Sequence, residues 1–315
     1  MISPKATHLL IKYFDSIDKL FSKYMNRKRP WDEEALTTVL CDLLEDEYQL
    51  EENISYSKKD LYNDFSKFDE PIAIYTRIET HKYTKYVENR ITHADIGIII
   101  NYQNQFEKNE SFKRCWLLQS KRLFHSKKSN FSYTTESRFE SFDNEQHKNI
   151  LKLNKKYGCE FVKYLLYCPR FKNLERQVRE ELVYAQNKAL RDEIFDYTFG
   201  LELRDDLMNE NNTISSSLYV CSADSFPDNF LNVYELLFGG ITPFAWFIIQ
   251  HFNSSSSKKS WDIDYNENYK NVILERIVRG DTKVLQSANL SEEEVNNIIP
   301  LYTIEINIIH GLNRQ

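Results

Sequence analysis

Apolar positions near the start of the chain recur every three to four residues. Leu9, Leu10, Tyr13, Phe14, Ile17, Leu20 and Phe21 share one helical face and predict a helix over residues 3–25. A basic break, Asn26 to Pro30, follows, and Pro30 suits the start of the next element. Leu36, Val39, Leu40, Leu43 and Leu44 then line one face of a second helix, from Trp31 to about Tyr48. A short helix is expected around Lys59 to Phe68.

The period then changes from helical to alternating. Residues 71–80 (PIAIYTRIET) and Tyr83 to Val87 read as two strands able to pair as a hairpin. Residues 94–102 (ADIGIIINY) are β-branched and nearly all apolar, the pattern of a strand buried on both faces. Residues 115–123 (CWLLQSKRL) form another strand. A polar loop, Ser126 to Phe142, leads to a helix over about Asn144 to Tyr157. The strand Phe161 to Cys168 follows, stopped by Pro169, and then a charged helix over about Asn173 to Leu190.

Beyond residue 200 the pattern weakens. Ser217 to Ser222 reads as a short strand, and 227–238, 243–252, 264–279 and 291–299 read as helices. Leu301 to Ile309 alternates like a final strand. Ser254 to Lys259 is an exposed loop, and no internal repeat is found. The order of elements predicts an α/β chain built on a central mixed sheet, with a more helical C-terminal region.

Composition narrows the class. The chain has 315 residues, enough for one large domain or two closely packed ones, with a core that needs no disulfide or structural metal. No apolar run reaches the ~18 residues of a membrane span. The best candidate, Phe244 to Phe252, is broken by Gln250 and His251. The first residues lack the apolar block of a signal peptide, so a soluble, cytoplasmic protein with no membrane contact is expected. The five cysteines, Cys41, Cys115, Cys159, Cys168 and Cys221, are far apart and read as reduced, buried thiols. No GxGxxG or GxxxxGK[ST] loop occurs among the seven glycines.

The net charge of −6 hides one basic stretch. Lys113, Arg114, Lys121, Arg122, Lys127 and Lys128 fall within sixteen residues that contain no acid. They form either a phosphate-binding patch or a solvated, lysine-rich edge. Phe124, Phe131 and Tyr133 nearby could stack on bases, although packing is their commoner role. His81, His125, His147 and His251 show no ligand spacing, and the cluster Phe244 to Phe247 reads as core.

Three polar features interrupt apolar surroundings. Asp95 opens the buried strand, where an acid is costly unless it is paired, binds a cation or sits at the strand's open end. Gln119 and Lys121 are two apart on the next strand and so share a face. Glu33 and Glu34 open the second helix. At about 100° per residue, Glu33 falls within the apolar face and Glu34 about 160° from Leu36, toward solvent.

An acid on a helix, an acid on one strand and an x-Lys pair on the next suit metal-dependent phosphodiester cleavage. Mg²⁺ takes hard oxygen ligands, which Asp95, the Gln119 side-chain oxygen and the Ser120 carbonyl would supply. Lys121 would orient or deprotonate water, or offset charge in the transition state. Glu33 would bind metal through water, bind a second metal or hold Lys121. Glu88 and Glu79 are further candidate acids.

In this order, Glu33 on a helix, Asp95 in ADIG and Gln119-x-Lys121 on the next strand, the chain resembles the PD-(D/E)xK, or restriction-endonuclease-like, phosphodiesterases. The QxK form is most similar to nuclease effector domains of bacterial anti-phage systems, of the CBASS and Lamassu types, and to Mrr-like restriction enzymes. The resemblance covers about residues 30–170. It departs at Gln119, where an acid is usual outside the QxK subgroup, and at His93, where a small residue is more familiar.

The resemblance implies a nuclease domain over residues 1–200, with 201–315 as an α/β extension packed on it or used for partner contact. It implies a Mg²⁺- or Mn²⁺-dependent endonuclease acting on DNA, or on RNA, as a defence effector. It also implies a homo-oligomer, or a sensor or ATPase partner. Gln146, opening the helix after the QxK strand, would lie near the scissile phosphate. The rival is a non-catalytic nucleic-acid-binding or assembly subunit, which the uncharged Gln119 favours. A third reading makes the match accidental, with Asp95 and Lys121 far apart.

Overall fold

The computed structural model describes residues 2–27, 31–45, 54–81, 94–125, 132–157, 160–192, 214–252, 274–281 and 300–311. Its first helix, α1 (Pro4–Met25), starts where local chemistry permits. Ser3 caps it by accepting from the Ala6 N–H at 3.0 Å, and Pro4 fills the first turn. Asp32 caps α2 (Glu33–Leu44) in the same way through the Ala35 N–H. Ser57 and Asp60 form a reciprocal capping box at α3 (Lys58–Lys67). Every apolar position predicted for the inner faces of α1 and α2 is buried.

The strands are β1 (Ile72–Thr80), β2 (Ala94–Asn104), β3 (Phe112–Arg122), β4 (Val162–Tyr167), β5 (Leu218–Cys221), β6 (Ile241–Pro243) and β7 (Pro300–His310). They form one seven-stranded mixed sheet in the order β1-β7-β2-β3-β4-β5-β6. β2 runs antiparallel to β3, and β4 lies parallel to β3 on its other side. The parallel pairing of β3 with β4 needs a crossover, which α4 (Asn144–Tyr157) provides. The helices α5 (Arg176–Asp192), α6 (Phe230–Glu235) and α7 (Phe244–Ile249) complete the named helices.

β7 was expected as a final strand, and it enters the interior of the sheet. It pairs antiparallel with β1 and parallel with β2. The Tyr83 to Val87 half of the expected hairpin lies outside the described residues, and the described partner of β1 is β7. Strands from both sides of residue 200 thus share one hydrogen-bonded sheet, so the expected 1–200 and 201–315 division does not follow a break in it.

β2 is buried on both faces as its composition requires, Ile96, Ile98, Ile99 and Ile100 all being fully covered. Gly97 is needed for that cover. A Cβ there would stand 2.5 Å from the Val278 carbonyl oxygen and 2.7 Å from its Cγ1. The same carbonyl accepts from the Thr303 hydroxyl of β7 at 2.6 Å, which ties segment 274–281 to the sheet.

Helices cover both faces. Thr37 on α2 meets Ser120 and Tyr167 on one face. On the other, Asn154 of α4 bonds both backbone groups of Val162, and His147 meets the Tyr164 hydroxyl at 3.0 Å. α7 packs into the core with Phe244, Ala245, Trp246 and Phe247 all buried. The expected helix over 227–238 contracts to α6 because Phe238 adopts a positive φ of 60° and turns the chain into β6. The helix expected over 291–299 lies outside the described residues, as does most of 264–279, of which 274–278 is helical.

A buried ion pair joins α1 to β5. Asp18 accepts from the backbone N–H groups of Ser217 and Leu218, from the Ser216 hydroxyl and from the Arg170 guanidinium. Burial pushes its carboxyl up to about 6 despite the Arg170 charge.

Candidate active site

The register of β2 against β3, Ile96↔Leu118 and onward, sets Asp95 directly opposite Gln119 on one face of the sheet. The Gln119 Nε2 donates to Asp95 Oδ2 at 2.9 Å, and the Ser120 backbone N–H donates to the same oxygen at 2.7 Å. Lys121, two residues along β3, shares this face and is 4% exposed. Its Nζ donates to the Ser141 carbonyl oxygen at 3.0 Å. Asp95 and Lys121 therefore stand close together on one face of the sheet, not far apart.

Glu33 arrives from the opposite face, around the end of β3. Its Oε1 accepts from the Arg122 backbone N–H at 2.8 Å and from the Ser141 hydroxyl. The orientation predicted by helical phase holds: Glu34 is exposed and Glu33 half-buried. Behind them, Thr37, Ser120 and Tyr167 close a triangle of hydroxyls 2.8–3.2 Å apart that fixes α2 on β3.

Burial pushes the Asp95 carboxyl up to about 6. The Ser120 N–H opposes that rise, the Glu33 charge adds to it and the Lys121 ammonium lowers it. A carboxyl so placed is easily discharged by a proton, and a divalent cation beside it would reverse the preference.

The donors fit a hard cation in kind. Gln119 Oε1 is buried and has no hydrogen-bond partner. Turning the amide about its last bond would aim that oxygen at Asp95, exchanging one hydrogen bond for a cation contact. The Ser120 carbonyl, 3.4 Å from Gln119 Nε2, is a second neutral oxygen nearby. Among the described residues there is no group of three or more His, Cys, Asp or Glu side chains that would hold a metal.

Lys113 and Arg114 of the basic stretch lie at the far end of β3 from this site. Lys113 and Lys121 are eight residues apart on a strand, about 26 Å. Lys113 is paired with Glu275 at 3.1 Å, and Arg114 bonds His251 at 2.8 Å on the opposite face. Arg122 is buried, donates to the Trp31 carbonyl and covers the Phe124 ring at 4.0 Å. Lys127, Lys128 and Phe131 lie outside the described residues, as do Glu88 and His93. Tyr133 is buried with its hydroxyl on the Met25 carbonyl.

Gln146 sits in the first turn of α4, buried at 7% exposure. Glu79 pairs with Arg77 on β1. The four histidines occupy four separate contacts: His81 with Thr303, His125 with Tyr133, His147 with Tyr164 and His251 with Arg114. Cys41, Cys115, Cys168 and Cys221 are buried and in no disulfide, and Cys159 is outside the described residues.

No family model, curated protein or solved structure matches the chain. Among the described residues no helix is long and apolar enough to cross a membrane.

One residue of the site is absent from the sequence reading. Ser141 lies twenty residues beyond Lys121 in a polar loop, and no spacing or composition signals it. It touches both Glu33 and Lys121.

Proposed function

We propose that this chain is a Mg²⁺- or Mn²⁺-dependent phosphodiesterase of the restriction-endonuclease-like class, cutting DNA. The observation that carries the reading is the meeting of Asp95 and Gln119 across β2 and β3, with Lys121 on the same face and Glu33 at the strand end. The order of helix, strand and strand agrees with the resemblance, as does a mixed sheet covered on both faces. The effector role in anti-phage defence, a cytoplasmic location and a homo-oligomeric or sensor partner rest on the resemblance alone.

In this reading Asp95, Gln119 Oε1 and the Ser120 carbonyl hold the cation. A bound Mg²⁺ or Mn²⁺ would make water nucleophilic at neutral pH and offset charge on the phosphate. Lys121 presents its ammonium beside Asp95, where it stabilises negative charge developing on the phosphate oxygens. Buried surroundings strengthen that attraction relative to water. Glu33, held by the Arg122 N–H, keeps a second negative charge near the Lys121 ammonium.

The test is cleavage of supercoiled and linear plasmid with Mg²⁺ or Mn²⁺, using wild type, Asp95→Ala and Lys121→Ala. Metal-dependent cutting that both substitutions abolish is expected. Equal cutting by all three would remove the assignment.

One observation favours the rival, a non-catalytic nucleic-acid-binding or assembly subunit. The neutral Gln119 already satisfies Asp95 through its amide hydrogen without any cation. Calorimetry with Mn²⁺ separates the two: the nuclease binds it and Asp95→Ala does not, whereas the binding subunit ignores it.

A further inference from the structure

Ser141 forms hydrogen bonds with both Glu33 and Lys121. Its hydroxyl donates to Glu33 Oε1, and its carbonyl oxygen accepts from Lys121 Nζ at 3.0 Å. The two contacts use different atoms of one residue, so moving Ser141 disturbs both partners together.

The turn that carries Ser141 is anchored on each side. The Phe142 N–H donates to the Phe139 carbonyl at 3.2 Å. The rings of Phe139 and Phe142 both pack on Phe226, at 5.6 and 4.5 Å between centroids. Asp143 then caps α4, accepting from the Glu145 N–H at 2.7 Å and the Gln146 N–H at 3.3 Å. A helix start on one side and an aromatic cluster on the other leave the Ser141 backbone little freedom.

Glu33 and Lys121 come from elements that need such a link. Glu33 belongs to α2 on one face of the sheet, and Lys121 points from β3 on the other. Residues of opposite faces that must act at a fixed separation gain from one bridging group.

We infer that Ser141 is the positioning residue of this site, its hydroxyl fixing the Glu33 carboxylate and its carbonyl oxygen fixing the Lys121 ammonium. The inference rests on the nuclease reading. Ser141 does not itself touch the reacting atoms; it sets where the acid and the ammonium stand when the phosphate arrives.

The experiment is plasmid cleavage by the full chain, with kcat and KM separated. Ser141→Ala and Ser141→Val remove the hydroxyl, and Ser141→Thr keeps it at the volume of Val. Ala and Val should lower kcat by about 10–100-fold, the usual loss for a group that orients catalytic residues. KM should stay near that of wild type, and Thr should restore most of the rate. In a Glu33→Gln background, Ser141→Ala should cost little more, because the two share one contact.

A merely structural serine would not produce the split between Thr and Val, nor the lost additivity. If wild type cuts and Ala and Val cut equally well, the inference is overturned and the nuclease stands. Fully additive losses with Glu33→Gln overturn it as well. If wild type neither cuts nor binds Mn²⁺, the nuclease reading falls and this inference with it.

Discussion

Asp95 and Gln119 stand opposite each other on antiparallel strands, joined at 2.9 Å through an amide hydrogen. The carboxylate is thereby satisfied by a neutral neighbour, while the Gln119 oxygen stays buried without a partner. That orphaned oxygen is expensive to keep, at about 1–3 kcal/mol. An arrangement that leaves it so is the kind retained where a ligand completes it.

Asp95→Asn should therefore separate activity from stability. Asparagine can keep both hydrogen bonds through its oxygen while removing a charge that burial disfavours. Because the folded carboxyl sits at about 6, above its usual 3.8, its contribution to stability is full below about 4 and is lost as pH rises through 6. Near pH 7.5 the variant should be more stable by about 1–3 kcal/mol and inactive. Urea unfolding at pH 5 and 7.5 checks this; a gain no larger at the higher pH would contradict the buried charge.

Gln119→Glu should put two carboxylates face to face. Like charges so close cannot both ionise cheaply, so the melting temperature at pH 7.5 should fall without metal. Added Mn²⁺ should raise it by more than in wild type, because the cation now meets an extra negative ligand. Differential scanning fluorimetry with and without Mn²⁺ reads both effects. An equal metal response in the two proteins would count against a cation site here.

Lys121→Met should keep much of the apolar stem of a buried side chain while removing the ammonium. A loss of about 10²–10³-fold in kcat is expected. Lys113→Ala, at the far end of β3 and paired with Glu275, should leave cleavage unchanged. A comparable loss in both variants would show that the basic stretch acts as one surface after all.

Gly97→Ala tests the packing over β2. The added methyl would meet the Val278 carbonyl at 2.5 Å, a backbone atom already held by Thr303. A cost of about 1–3 kcal/mol is expected for such overpacking. Chemical denaturation gives the number, and a neutral result would mean that segment 274–281 can shift freely.

Much of the architecture is legible along the chain because it depends on local period. The apolar faces of α1 and α2 and the doubly buried run of β2 are both of this kind. So is the pointing of Glu33 inward and Glu34 outward, which follows from helical phase alone. The pairing of Gln119 with Lys121 on one face is likewise a property of any strand.

Other features needed the folded chain. Sheet order depends on backbone hydrogen bonds that carry no side-chain signature, so the place of β7 between β1 and β2 is invisible in Leu301 to Ile309. β6, three residues long, is too short to show a period. The basic stretch looked continuous because sequence counts charges without their directions, whereas neighbouring strand residues face opposite ways and eight of them span about 26 Å. Ser141 is the clearest case. Its role comes from a turn held by Phe139, Phe142 and Phe226, and distance in space, not distance along the chain, brings it to Glu33 and Lys121.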